Sequence, residues 1–196
     1  MSLFDSENCT STNLITEYGE FKIYVLRDEA HDKETVVLIH GEKSEGCVPL
    51  VRIHSECMTG DVFHSLHCDC YMQLKTSLEM IGNSDYGILI YLRQEGRGIG
   101  LFNKIKAYEL QRQGLDTIEA NVALGLPVDA RDYDLAFKIL SELGITNIML
   151  ITNNPLKING LEKYGITVGR VPCVIPSNKY DSSYLETKRV AMGHFL

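Results

Sequence analysis

At 196 residues, with 44% hydrophobic and 23% charged side chains, the chain has the balance of a globular protein with one substantial core. Its formal net charge of −7 opposes general attraction to nucleic acid or anionic lipid, so an anionic ligand has to be met by a local basic pocket. The longest apolar runs, "GILIYL" and "IMLI", are far short of the roughly 18 residues that span a bilayer. The N-terminal "MSLFDSENCTST" lacks the basic start and apolar stretch of a signal peptide, which implies a cytoplasmic, reducing compartment where clustered cysteines serve metal or catalysis.

In chain order, "EFKIYVLRD", "ETVVLIHGE" and "VPLVRIHSE" are β-branched runs separated by turn-forming clusters, and they read as strands of an antiparallel first half. "YMQLKTSLEMIG" has helical spacing and ends at Gly82, "YGILIYLRQ" is a buried strand, and "GLFNKIKAYELQRQG" is a helix closed by Gly114. Strand and helix then alternate through "YDLAFKILSELG", "NIMLIT", a helix opening at "NNPLKI" and "ITVGRVP", and "SSYLETKRVAMG" closes the chain as an amphipathic helix. The fold class expected is mixed α/β (α+β), with a strand-rich N-terminal half and a helix-flanked sheet in the C-terminal half, in one domain over 1–196.

Of the six cysteines, Cys9, Cys47 and Cys173 stand isolated and read as small buried hydrophobes. Cys57, Cys68 and Cys70 form C-x10-C-x-C inside "HSECMTGDVFHSLHCDC", where a turn before a helix can aim the sulfurs at one point. Thiolates in a reducing compartment select Zn2+. If His54, His64 or His67 fills the fourth position the site is closed and structural; if water does, the metal is a Lewis acid. Three thiolates leave such a centre net negative, so an open site needs a helper acid or base.

"RQEGRGIGLFNKIKAYELQRQG" carries G-x-G-x-G, not the dinucleotide G-x-G-x-x-G. It offers instead a glycine-rich turn bearing Arg93 and Arg97, with Lys104 and Lys106 in the helix behind, as a phosphate cradle; the alternative is a flexible turn before an exposed basic face. In "TNNPLK", Asn154 as N-cap and Pro155 at the first helical position account for most of the turn, leaving Lys157 as the residue of interest.

Together "RIHSEC", "TGDVFHSLHCDCYMQL", "RQEGRGIGLFNKIKAY", "DTIEAN", "LPVDARDY", "MLITNNPLK", "RVP" and "YLETKRVAMGH" resemble the GTP cyclohydrolase II family of riboflavin biosynthesis, in the same order from about Val51 onward. The resemblance implies that Cys57, Cys68 and Cys70 bind a catalytic zinc that activates water toward carbon 8 of guanine. Formate and pyrophosphate leave, and a diaminopyrimidinone carrying ribose 5-phosphate remains. It further implies that Arg52, Ile53, His54, Ser55, Glu56, Gln73, Glu95, Gly96, Arg97, Thr117, Thr152 and Lys157 bind GTP. Asp129 matches a proton acceptor, Arg131 a nucleophile toward the α-phosphate and Tyr108 a tyrosine near the zinc. Mg2+ is implied with the triphosphate, and a homodimer as the assembly; no nucleic acid or membrane partner is expected.

A guanidinium stays protonated at neutral pH and binds phosphate as a cation, so Arg131 reads as essential more securely than as covalent, with Asp129 orienting it or capping the following helix. "LHCDCY" places His67 and Tyr71 where the family pattern has arginine and glycine. A specialised relative that stops at the formamide or serves another purine-derived pathway is therefore one alternative, and a non-catalytic zinc and nucleotide-binding protein another.

Overall fold

The computed structural model describes residues 3–28, 33–181, 185–186, 188–190 and 193–195. Seven strands form one mixed sheet, ordered β1-β2-β3-β5-β4-β6-β7. Strands β1 (Cys9–Thr16), β2 (Gly19–Asp28) and β3 (Lys33–Gly41) make an antiparallel meander. Strand β3 then pairs antiparallel with β5 (Tyr86–Leu92).

Strand β4 (Leu50–Ser55) runs parallel to β5 and to β6 (Asn147–Ile151), which is parallel to β7 (Thr167–Val171). The antiparallel expectation for the first half therefore holds for "EFKIYVLRD" and "ETVVLIHGE", which β1 joins as a strand the sequence reading does not name, and fails for "VPLVRIHSE". The reason is connectivity. The chain leaves β4 through α1 (Met58–Asp61) and α2 (Cys70–Gly82) before entering β5, and a helical crossover returns a chain in the same direction.

From β5 the chain passes a 3-10 turn (Glu95–Gly98), α3 (Gly100–Arg112), α4 (Thr117–Ala123) and α5 (Asp134–Glu142), and re-enters the sheet on the far side of β4. Helix α6 (Pro155–Glu162) links β6 to β7. Alternation along β5 sets the two faces: Ile88, Ile90 and Leu92 pack with Ile139 and Leu140 of α5 and Leu161 of α6. Leu89 faces the other way, with Ile81 of α2, Phe21 and Cys173. Burial on both faces is why β5 reads as an unbroken apolar run.

Helices α2, α3 and α5 follow the sequence periodicity, and α6 opens on Asn154, whose Oδ1 accepts from Leu156 N at 2.9 Å. The terminal amphipathic helix expected over "SSYLETKRVAMG" falls partly outside the described residues; 185–186 and 188–190 are helical. No described helix is long and apolar enough to cross a membrane.

Candidate active site

Because β4, β5 and β6 are parallel, their carboxyl ends open on one side of the sheet, where α/β proteins place ligand sites. A cleft of about 760 Å³ lies there. It is lined by every residue to which the family resemblance gave a catalytic, substrate-binding or metal-ligating role except Ile53 and Asp129; His64, Arg93 and Lys106, raised from the sequence on other grounds, do not line it. The side chain of Ile53 is fully buried in the core; what it offers the site is its carbonyl, which accepts from Lys157 Nζ at 2.6 Å. Asp129 stands behind Arg131.

The three sulfurs meet in the cleft, all within 4.8 Å of one another, with Cys57 and Cys68 Sγ 3.7 Å apart. Four ligands placed tetrahedrally at zinc–sulfur bond lengths of about 2.3 Å have edges of about 3.8 Å, so the donors fit a tetrahedral thiophilic ion. The six cysteines are free thiols.

Local sequence makes this cluster possible in two ways. Gly60 leaves room for it, since a Cβ there would lie 2.9 Å from Cys68 Sγ, 2.9 Å from Cys70 Cβ and 3.2 Å from Cys57 Sγ. Asp61 fixes the turn by accepting from Cys57 N at 3.0 Å, His54 Nε2 at 3.1 Å and Tyr91 OH at 2.8 Å. His54 is thereby committed to Asp61, and burial lowers its pKa. It is a strut of the metal loop and not a fourth ligand. Hydrogen bonds from Cys68 and Cys70, helped by Lys104, hold the Cys57 thiol well below its ordinary range. The contact with Cys57 pushes Cys68 up to about 11, and contacts with Cys57 and Cys68 raise Cys70 well above its ordinary value. One thiolate is stable unaided; the second and third call for a cation.

The two positions that depart from the family pattern separate. Tyr71 stacks on His64 with ring centroids 3.9 Å apart and does not line the cleft. His67 does line it, 6.4 Å from the rings of both Tyr108 and Tyr180.

Cations line the same cleft. Arg52 NH2 donates to Gln73 Oε1 at 2.7 Å and its NH1 to the Ile151 carbonyl at 3.1 Å. Gln73 Nε2 donates in turn to Asp69 Oδ2, and Asp69 Oδ1 accepts from Lys188 Nζ at 2.7 Å. Burial lowers the Lys157 pKa far below a lysine's ordinary value, reinforced by Arg52, Arg131 and Lys188. Such a concentration of cations in an acidic protein awaits a polyanion.

Arg131 is held by Asp129, whose Oδ1 accepts from Arg131 Nε at 2.9 Å and from its backbone N at 3.1 Å, while Oδ2 accepts from NH2 at 2.5 Å. Burial would raise the Asp129 pKa, but the guanidinium overrides it and the net shift is downward. Asp129 caps no helix: α5 begins at Asp134, with Tyr133 as N-cap.

The glycine-rich turn has a packing role. Gly98, at φ 91°, would put a Cβ 3.1 Å from the Ala130 backbone, and Ala130 N donates to the Arg97 carbonyl at 2.9 Å. The glycine thus lets the Asp129–Arg131 loop dock against the turn. Lys104 and Lys106 do not form the expected phosphate cradle. They lie two apart on α3, so Lys104 turns inward, 3.1 Å from Cys57 Sγ, while exposed Lys106 stacks over Phe102.

Of the remaining expected contacts, Ser55 Oγ accepts from Gln94 Nε2 at 2.9 Å and Glu56 Oε2 from Arg93 Nε at 3.0 Å. Glu95 accepts from Met58 N, Gly96 N and Lys104 Nζ. Thr152 Oγ1 accepts from Asn154 N at 3.0 Å. Thr117 opens α4, which a capping box between Asp116 and Glu119 secures. The sequence reading gave no site role to Asp61, Gly60, Lys188 or His194, the last two of which also line the cleft; "TGD" between the cysteines was the signal for the first two, and the motif "YLETKRVAMGH" for the last two.

Comparison with known proteins agrees with this geometry. The sequence profile of GTP cyclohydrolase II matches residues 7–172. The chain is 53% identical over 187 residues to the GTP cyclohydrolase-2 of Picrophilus torridus, covering 94% of this chain and 96% of that one. It is 50% identical to the GTP cyclohydrolase-2 of Histophilus somni, over 93% and 85% of the two chains. It is also 52% identical to the riboflavin biosynthesis protein RibBA of Synechocystis, covering 92% of this chain but 33% of that longer one. With the family's match spanning most of its length and the three sulfurs, the cations and Arg131 facing one cleft, the chain belongs to the GTP cyclohydrolase II family.

Proposed function

We propose that the protein hydrolyses GTP, opening the guanine imidazole ring with release of formate and pyrophosphate, to leave 2,5-diamino-6-(5-phosphoribosylamino)pyrimidin-4(3H)-one for riboflavin synthesis. The observation that carries this reading is the content of one cleft: three thiols able to hold a metal and the Arg52, Arg131, Lys157 and Lys188 cations line it together. GTP calls for both, with a base to be hydrolysed and about four negative charges on its triphosphate, which Mg2+ would share.

Cys57, Cys68 and Cys70 would hold the zinc, which supplies a Lewis acid at the base end. The protein's own groups do the rest. Tyr108, in the same cleft as the sulfurs, is the acid for a departing nitrogen, since ring opening and deformylation each need a proton delivered there. Lys157 and Arg97 hold phosphate oxygens. Arg131, oriented by Asp129 in two parallel bonds, stays a cation at the α-phosphate and stabilises the charge that develops when pyrophosphate leaves. That pairing favours an electrostatic role over a covalent one. One domain, a homodimer and a cytoplasmic location complete the proposal.

The test incubates purified protein with GTP, Zn2+ and Mg2+, counts formate against GTP consumed and reads the product mass. One formate per GTP is the expected result. GTP loss without formate would assign the protein to the formamide-forming alternative, and binding without turnover to the non-catalytic one.

A further inference from the structure

We propose that Lys104 is a positioning residue for the metal centre: pinned by Glu95 and Thr59, it directs a hydrogen bond onto the Cys57 sulfur and withdraws electron density from it. This rests on the reading that the three cysteines hold a divalent cation. Lys104 Nζ lies 2.8 Å from Glu95 Oε1, 2.8 Å from Thr59 Oγ1 and 3.1 Å from Cys57 Sγ. An ammonium has three N–H donors, and here each has an acceptor. None is left for a phosphate, although the residue sits in the helix behind the glycine-rich turn.

Its carrier is rigid. Lys104 is a buried residue of α3, and Glu95 is anchored on its other side by Met58 N at 2.5 Å and Gly96 N at 2.8 Å. The four groups form a chain from the Glu95–Gly98 turn to the first metal ligand. Glu95 balances the ammonium's charge overall, so the effect on sulfur comes from the directed N–H. Three thiolates donate more charge than a divalent cation carries, which blunts its Lewis acidity. An N–H on one sulfur lessens that donation, as hydrogen bonds behind metal ligands do elsewhere. The lysine is the helper that a three-thiolate site requires, acting through the ligand.

The experiment uses Co2+ in place of zinc, because thiolate-to-cobalt charge-transfer absorption reports the energy of the sulfur electrons directly. Lys104→Met should bind one cobalt per chain with this band moved to longer wavelength, because losing the N–H raises the sulfur lone pair. Zinc-loaded Lys104→Met should open the ring about 10–100-fold more slowly while GTP affinity stays unchanged. Lys104→Arg, which keeps an N–H donor, should move the band back toward the wild-type position, and Lys106→Met, on the exposed face, should leave it in place. Should Lys104→Met fail to fold, Lys104→Leu, which also lacks a donor, is read instead, with the same expected shift. An unmoved band in a cobalt-loaded Lys104 variant overturns the proposal and leaves the three-cysteine reading standing. Wild-type protein that takes up cobalt without any thiolate charge-transfer band overturns both.

Discussion

The β1–β3 meander and the carboxyl ends of β4, β5 and β6 share one sheet but are built on opposite terms. In the meander, apolar and polar residues alternate, the outer strand is largely exposed, with Ile15 84% accessible, and no candidate site residue occurs. At the parallel ends, by contrast, Arg52, His54, Glu95, Lys104, Thr152 and Lys157 are all buried, and each is committed to a named partner. Burying charge costs stability unless it is paired, so the second region accepts a cost that the first avoids. What it gains is a set of preorganised groups facing one cleft.

That contrast can be broken most severely at the sulfurs. Cys68→Ser should lower ring opening by at least about a thousandfold, roughly 4 kcal/mol of transition-state stabilisation, and abolish stoichiometric zinc. Thermal unfolding should change little, because neither apolar core cluster contains Cys68. Prolonged chelation of the wild-type protein should reproduce the loss. Arg131→Ala should stop pyrophosphate release, whereas the Cys68 variant should still convert some GTP to GMP. Mass analysis of products separates the two reactions.

Next in size is the buried pair between Lys188 and Asp69, whose carboxylate sits between two of the cysteines. Removing one partner of a buried pair strands the other charge, so Lys188→Met should destabilise the fold by about 3 kcal/mol. Burial would raise the Asp69 pKa, but Lys188 and Gln73 more than offset it and the net shift is downward. A folded-state pKa below the unfolded value contributes stability above the ordinary carboxylate range, and that stability is lost as pH falls through the folded value. Wild-type melting temperature should therefore drop with acidification more steeply than that of the variant. Parallel slopes would show that the pair contributes nothing.

Lys157 gives the third perturbation. In the free protein burial and the nearby cations depress its pKa, whereas a bound triphosphate would favour the ammonium. GTP binding should thus take up close to one proton in the pH window between the free and bound values, and affinity should fall as pH rises through it. Calorimetry in buffers of different ionisation enthalpy measures the uptake. Lys157→Met should abolish it and weaken binding by about 2 kcal/mol.

Much of this was legible in the sequence, and the failures have physical causes. Most strand and helix positions followed from periodicity, β1 and α4 excepted, and the sulfur cluster from C-x10-C-x-C, because both are local patterns. The direction of β4 was not local: it depends on a crossover that puts β5 between β3 and β4. Lys104 was assigned to phosphate because its neighbourhood in sequence is a glycine-rich turn. Its neighbourhood in space is Cys57, 47 positions away. His54, placed in the substrate set with its whole segment, lines the cleft, and its Nε2 is engaged by Asp61. Lys188 reaches Asp69 across 119 positions, a pairing that no spacing rule announces.

The smallest effect is expected at Tyr71, where the sequence departs from the family pattern immediately beside a ligand. A tyrosine in place of glycine there would matter to chemistry if it crowded the metal. Its ring stacks instead on His64, a residue held at φ 52°, and it is not among the residues that line the cleft. Tyr71→Gly should accordingly lose the ring pair, worth about 1 kcal/mol, and add about 1 kcal/mol for glycine in the first turn of α2. The rate of ring opening and the affinity for GTP should each change by less than about tenfold, or roughly 1.4 kcal/mol, with formate still released once per GTP. A larger loss of activity at unchanged stability would mean that the stack sets the position of the Cys68–Cys70 loop, and would move Tyr71 from the scaffold to the site. His67→Arg, made in the same background, sharpens the distinction, because His67 does line the cleft and faces Tyr108: its effect should appear in kcat/KM for GTP and leave the melting temperature where Tyr71→Gly put it.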